Sequence, residues 1–417
     1  MPRDAMYAMG AIAALLGAIG TALRNGPAPV ALLLLGAAAP LANTRLMGSQ
    51  DTVPTAQLLF SIVRERSLTL PGPAAYVVPI GEGKFASRYP VATALLALPV
   101  ALPAAAGHAR IGEGLLSVVE KLSASVLNGA MLALLYVALR HLAGRRAALI
   151  AAALTLFGTP ALPVLGQALW QHTGAALALA AGLATLGLPD GRRRSILVGL
   201  CAGVVIACRP VDAPLALGLL WLCRRRAAAI GLAVPVLLVL LYQRAMFGAF
   251  WRTGYGAEAT MGWRPPWPDG AMGFAGLWLS PARGLLAIYP LVLFGLWGLW
   301  RQRELRPLLA AVIFEAGLMG CWWAWAGGWS PGPRMLAEAT PFFGLGIAVA
   351  VRESAEWRRP ARAALIAAAA VSCGAAMVLT YVVPRREAHA LVRELRDGPW
   401  TPRSYPLFAY LFSTTSQ

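Results

Sequence analysis

The chain has 417 residues, of which 58% are hydrophobic and only 13% charged, and its formal net charge is +18. A soluble domain is nearer one quarter charged, so this composition excludes an ordinary water-soluble enzyme. The arginines fall in short clusters, with no long basic stretch interleaved with exposed aromatics, which argues against a nucleic-acid partner.

Apolar stretches long enough, or nearly so, to span hydrocarbon lie at 5–23, 27–44, 91–107, 115–139, 147–163, 172–188, 195–208, 211–223, 227–246, 284–300, 308–326, 335–351 and 363–383. Backbone groups in lipid must be satisfied within each segment. The pattern therefore predicts an all-α, polytopic integral membrane protein with about 11–13 transmembrane helices. Arg3 and Asp4 before the first stretch, and Arg24 after it, mark a retained helix in place of a cleaved signal. No internal repeat divides the chain. A single integral domain is expected over 1–417, with 45–90, 247–283 and 384–417 as its largest non-spanning parts.

Basic clusters at Arg140–Arg146, Asp190–Arg194, Arg224–Arg226, Arg301–Arg306 and Arg352–Arg362 follow every second apolar stretch. Lys/Arg excess marks cytoplasmic loops and meets anionic head groups. The other loop ends, and the site they carry, then face the periplasm of a bacterial inner membrane. The first third is ambiguous. For 45–90 to join that face, one of 5–23 and 27–44 must fail to cross, and so must one of 91–107 and 115–139. Pro99 and Pro103 make 91–107 a re-entrant candidate.

The polar loops carry the chemistry. Residues 52–66 are amphipathic, with Val53, Ala56, Leu59, Phe60 and Val63 near one face, which predicts an interfacial helix. Asp51 ahead of it reads either as the helix N-cap or as a general base in a partly desolvated groove. Lys84 and Arg88 in KFASRYP either hold a phosphate or anchor the interface beside Tyr89. In QALWQHT, Trp170 can stack on a sugar or sit in the aromatic belt, and Gln171 and His172 offer donors and acceptors, with a structural role the alternative for His172. Arg209 and Asp212 join two segments too short to span comfortably, which places a charge pair below the membrane surface.

The Gly-, Trp- and Pro-rich loop around FGAFWRTGYG, with Tyr255, reads as a binding loop. Ser280–Arg283 is expected to open a helix. Arg283 would there oppose the helix dipole, and an anion would account for it. Trp322 and Trp325 read either as an interfacial belt or, with Arg334 beyond the Gly/Pro turn, as an aromatic-walled cationic pocket. Glu315 is an intramembrane acid whose partner the sequence does not show. No DxD, P-loop, HExxH or nucleophile elbow occurs. The five cysteines form no CxxC and read as small core residues. No cofactor or metal ligand set is predicted, and a divalent-metal requirement is left open.

One aspartate, separated arginines and many aromatics suit transfer of a sugar from a lipid phosphate to an acceptor hydroxyl. The arginines would neutralise the departing phosphate. The stretches GSQDTVP, KFASRYPVATALLALP, LWQHT, CRPVD, FGAFWRTGYG, LSPARGLLAIYP and WWAWAGGWSPGPRML lie in order over residues 48–336. As a set they resemble bacterial membrane glycosyltransferases of the C-type fold, which include dolichyl-phosphate-mannose–protein mannosyltransferases and aminoarabinose transferases. The resemblance implies a polyprenyl-phosphate sugar donor, transfer outside the cytoplasm and inverting displacement. It also implies that the first external loop supplies the base, here Asp51. Lys84, Arg88, Arg209, Arg283 and Arg334 are then the candidate phosphate ligands. Tyr89, Trp170, Gln171, His172, Asp212, Tyr255, Trp322 and Trp325 are the candidate substrate contacts. The acceptor is left open among glycan, lipid and protein, with membrane lipids as further partners. The rival reading is a transporter or flippase with a similar cavity, favoured by the Arg209–Asp212 break and Glu315. A non-catalytic scaffold is a third.

Overall fold

A computed structural model describes residues 27–43, 46, 50–107, 112–328, 330–382 and 398–400. The stretch 5–23, most of GSQ ahead of Asp51 and most of the 384–417 tail lie outside the described residues.

Every predicted apolar stretch from 27–44 onward holds helix. The helices are α1 (Ala28–Leu41), α2 (Val53–Phe60), α3 (Ala92–Gly107), α4 (Glu113–Gly158), α5 (Gln171–Thr185), α6 (Arg192–Cys208), α7 (Ala213–Cys223), α8 (Ala228–Phe247), α9 (Glu258–Met261), α10 (Ala271–Leu279), α11 (Leu285–Ile288), α12 (Leu291–Arg301), α13 (Arg306–Gly320), α14 (Thr340–Glu353) and α15 (Arg359–Met377). Proline sits in the first turn of α1, α2, α7, α13, α14 and α15, where its missing N–H was unpaired anyway. The stretches 115–139 and 147–163 share α4, which is broken at Gly144 with φ 78°. A short antiparallel hairpin, β1 (Val77–Gly81) and β2 (Lys84–Ser87), is an addition to the all-α expectation. Its β-branched Val77, Val78 and Ile80 favour extended backbone, and Gly81, Glu82 and Gly83 turn it with positive φ.

Small residues bring the helices together, as membrane interiors require. A Cβ on Gly129 of α4 would lie 2.3 Å from the Leu33 carbonyl oxygen of α1, and one on Gly298 of α12 would lie 2.0 Å from that of Gly346 on α14. Leu217, Trp221, Leu237, Leu238, Leu241, Phe314 and Ile366 stand exposed on helix faces, as the lipid-facing side of a membrane protein does. By length and composition, Gly114–Gly158, Ala228–Phe247 and Arg359–Val382 can each cross a membrane, and shorter apolar helices pack beside them.

The basic loops gather at one end of the bundle. Arg225 pairs with Asp190. Arg352 donates to the Leu142 carbonyl at 2.8 Å and to Gln302 at 3.4 Å, and Arg301 pairs with Glu353 at 3.4 Å. Gly187 packs on the His141 ring, which joins the two groups. The polar clusters meet at the other end.

This arrangement resolves the first third. Helix α1 lies antiparallel to α4, with Asn128 donating to Gly36 O and Lys121 to Asn43. It therefore rises from the arginine end and delivers Asp51 to the site end. Helix α4 passes site level at Glu120, which accepts from Leu169 N, and reaches the arginine end at Leu142. Helix α3 begins at site level, where Thr93 donates to Gln171 O at 3.5 Å, and ends beside the outer start of α4. It is the segment that does not run through the bundle. With α2 and the start of α4 it forms a second, smaller core around Leu59, Phe60, Ala97, Ala101 and Val119.

Candidate active site

The loop that begins at residue 50, the α4–α5 turn and the α13–α14 loop converge on Asp51. The expected helix 52–66 exists, as α2 continued by a wider turn over Ser61–Glu65. Asp51 does not cap it. Thr52 holds that position, with no side-chain cap bond. Asp51 instead accepts a hydrogen bond from Trp170 Nε1 at 3.2 Å through Oδ1, and its Oδ2 pairs with Arg334. The Arg334 guanidinium also lies over the Trp170 ring, 5.6 Å from its centroid. The side chains of Asp51 and Arg334 are 16% and 11% exposed, so the pair is sheltered yet reachable. Glu120 fixes the neighbourhood, because it bonds both Leu169 N and the Thr52 side chain.

A second group borders this pair. Arg88 is ion-paired with Glu258 and lies over the Tyr76 and Tyr255 rings, at 5.6 and 5.3 Å. Tyr89 stacks between Tyr76 and Tyr255, both at 5.8 Å. Burial, and then the Asp51 charge, push the Tyr89 phenol well above its usual range. Burial also raises Tyr255, against the pull of Arg209, Arg88 and Arg334. Both phenols are therefore neutral hydrogen-bond donors near the Asp51–Arg334 pair. A Cβ on Gly254 would come 2.4 Å from the Arg88 carbonyl oxygen, so glycine there lets the two loops touch. Glu258 Oε1 accepts from Trp323 Nε1 at 2.9 Å and thus ties three loops together. Beside them opens a groove of about 830 Å³, lined among others by Ile80, Phe247, Trp251, Arg252 and Thr253.

Beneath the pair lies a buried charged cluster. Arg209 Nη1 is 2.6 Å from Asp212 Oδ1, 2.5 Å from Glu338 Oε1 and 3.6 Å from Glu315 Oε1. His172 Nδ1 is 2.5 Å from Glu338 Oε2. The intramembrane acid Glu315 thus finds its partners in Arg209, Asp212 and Glu338. One oxygen from each carboxylate falls within 4.8 Å of the others.

The remaining expected residues are more distant from Asp51 or differently employed. Ser280–Arg283 forms a turn, not a helix start, with Arg283 N donating to Ser280 Oγ at 3.0 Å. The Arg283 guanidinium donates to the carbonyls of Gly328, Ser330 and Gly332 at 2.7–3.1 Å. Loop carbonyls therefore account for it without an anion. Lys84 projects from the hairpin turn, is 59% exposed and pairs with Glu82. The Gln171 side chain is buried at the start of α5. Trp322 packs on Trp263 with ring centroids 5.1 Å apart, and Trp325 closes over Gly276. Trp325, Arg283 and Arg334 line one narrow cleft.

Glu338, Glu258 and Glu120 were not anticipated. Glu120 and Glu338 are acids inside apolar runs, itself a signal of function or pairing. Glu258 sits in a loop already read as binding.

The fold these elements define is that of the C-type membrane glycosyltransferases. ArnT from Cupriavidus metallidurans, solved with undecaprenyl phosphate, matches 92% of this chain and 74% of its own, with 14% identity and a TM-score of 0.55. The oligosaccharyltransferase AglB from Archaeoglobus fulgidus, solved with an inhibitory peptide and a dolichol-phosphate, matches 93% of this chain and 60% of its own, with 12% identity and a TM-score of 0.46. No family model and no curated protein matches the sequence.

Proposed function

We propose that the protein is a glycosyltransferase that moves a sugar from a polyprenyl-phosphate donor to an acceptor hydroxyl on the periplasmic side of a bacterial inner membrane. The observation that carries this reading is Asp51, held between the Trp170 N–H and the Arg334 guanidinium at the end of the bundle opposite the arginine-rich loops. The solved neighbour with undecaprenyl phosphate bound supports a lipid-phosphate donor.

In the resting protein Arg334 neutralises Asp51 and weakens it as a base. The donor phosphodiester offers Arg334 two oxygens in a bidentate arrangement, and the second charge that develops on the departing phosphate draws Arg334 further from Asp51, which frees the base as the reaction proceeds. Asp51 then takes the proton of the acceptor hydroxyl as its oxygen attacks the anomeric carbon. The bond from that carbon to the phosphate oxygen breaks on the opposite face, which inverts the centre. The phosphate leaves with both bonding electrons, and Arg334 and Arg88 stabilise its charge. Trp170, Tyr89 and Tyr255 wall the sugar, and the groove beside Thr253 admits the acceptor. Arg209, Asp212 and His172 act from below by holding Glu338 and the turn that carries Arg334. Arg283 holds the loop on the other side, with Trp322 and Trp325 packed against it. Lys84 would meet head groups.

The buried Arg209 cluster also suits the transporter reading. The test is to incubate the purified protein in liposomes with a polyprenyl-phosphate sugar and envelope lipid and glycan fractions, and to measure released polyprenyl phosphate by mass spectrometry. Release that depends on acceptor supports the transferase. Donor that crosses the bilayer uncleaved with every fraction overturns it.

A further inference from the structure

The Arg209 cluster does not balance as a set of ordinary ionised groups. Asp212, Glu315 and Glu338 are fully buried, and Arg209 is 6% exposed. Three carboxylates against one guanidinium leave two negative charges. A protonated His172 would still leave one. Tyr255, which also faces Arg209, is neutral, and Arg334 is matched by Asp51. A buried uncompensated charge is costly enough that the group gains a proton or a counter-ion instead.

The hydrogen bonds locate the deficit. Both oxygens of Glu338 are taken, one by Arg209 and one by His172, and Asp212 Oδ1 is taken by Arg209. Asp212 Oδ2 and both Glu315 oxygens receive no donor from any other residue. These two carboxyls face each other, with one oxygen of each within 4.8 Å of the other. The centre of the cluster, where a metal ion would sit, holds Arg209 Nη1.

We infer that Glu315 and Asp212 form a pair of carboxyl groups that holds the two missing protons, a proton-holding site in the membrane-embedded floor of the active site, with Glu338 as the ionised member that balances Arg209. Glu315 is then a positioning residue. Its neutral form lets Arg209 serve Asp212 and Glu338 together, and Glu338 anchors the turn in which Ala337 N donates to Arg334 O at 2.9 Å. The floor's role under Arg334 rests on the glycosyltransferase reading, whereas the protons held by Glu315 and Asp212 do not.

The test uses the full-length protein in detergent at neutral pH and needs no turnover. Infrared spectroscopy should show the C=O stretch of a protonated carboxylic acid. Glu315→Gln should shift or weaken it, while Glu338→Gln and the control Glu120→Gln should leave a band in place. Metal analysis should find no stoichiometric divalent cation. If Glu315→Gln does not fold, Asp212→Asn takes its place, and the wild-type band must then shift or weaken. A wild-type band that no Glu315 or Asp212 variant alters, or no band at all, overturns the inference. So does one bound divalent cation per chain that either variant abolishes, which would make the cluster a metal site.

Discussion

Replacing Asp51 with asparagine removes one charge and almost no volume. The amide oxygen can still accept from Trp170 Nε1, now at 3.2 Å from the carboxylate, so the side chain should stay in place. Arg334 loses its ion pair but gains freedom to meet a phosphate. The pair is largely buried and Asp51→Asn leaves Arg334 without its counter-charge, so its loss should cost roughly 1–3 kcal/mol of stability. Loss of a general base costs about 10²- to 10⁴-fold in rate, or roughly 3–5 kcal/mol of barrier. The two effects separate in kinetics. In a liposome assay with a polyprenyl-phosphate sugar, Asp51→Asn should lower kcat by that factor while KM for the donor holds or falls. A kcat within about tenfold of wild type, with a changed KM, would show that Asp51 only parks Arg334, and the base assignment would fail.

Glu338→Gln strips Arg209 and His172 of their shared anionic partner in a fully buried site, and should destabilise the protein by about 3–5 kcal/mol, read as a lowered midpoint in detergent unfolding. Arg283→Met removes the guanidinium that gathers three loop carbonyls. Hydrogen exchange over residues 326–336 should speed up while the helices keep their protection. Gly129→Leu drives a side chain into the α1 backbone and should abolish folded expression, whereas Gly374→Leu, where a Cβ meets nothing within 4 Å, should be tolerated. Tyr89 ionises less readily in the folded chain than its usual value near 10. The unfolded chain therefore loses that proton first, and stability should fall as pH rises above about 10. Tyr89→Phe should flatten that loss in a pH series of thermal midpoints, and a wild-type slope unchanged by it would refute the assignment.

The helices were legible because lipid-facing segments announce themselves by length and composition alone. Alternating arginine clusters gave the two ends, since charge placement is written locally, loop by loop. What the sequence left open was any feature that needs two distant segments. It offered Asp51 as a cap or a base, and only the arrival of Trp170 and Arg334, far along the chain, turned the carboxylate away from its own helix. It noted Glu315 without a partner because Asp212 and Glu338 come from other helices. Arg283 was read against a helix dipole that the turn at Ser280 removes. Helix α3 looked like its neighbours by hydropathy. Its prolines hinted at the difference, but only the direction of α4 showed that it does not run through.

The small core shared by α2, α3 and the outer start of α4 has a consequence for how such a protein can diversify. Residues 53–107 share this small core with the start of α4, while the charged floor and Arg334 belong to the main bundle. The surface presented to an incoming molecule can therefore be rebuilt within that unit, with a new hairpin turn or a reshaped groove wall, as long as Arg88 and Tyr89 keep their places at the reacting end. The exposed face of the unit becomes the part free to drift between chains of this fold, and the seam where Thr52 and Arg88 meet the bundle becomes the part that cannot.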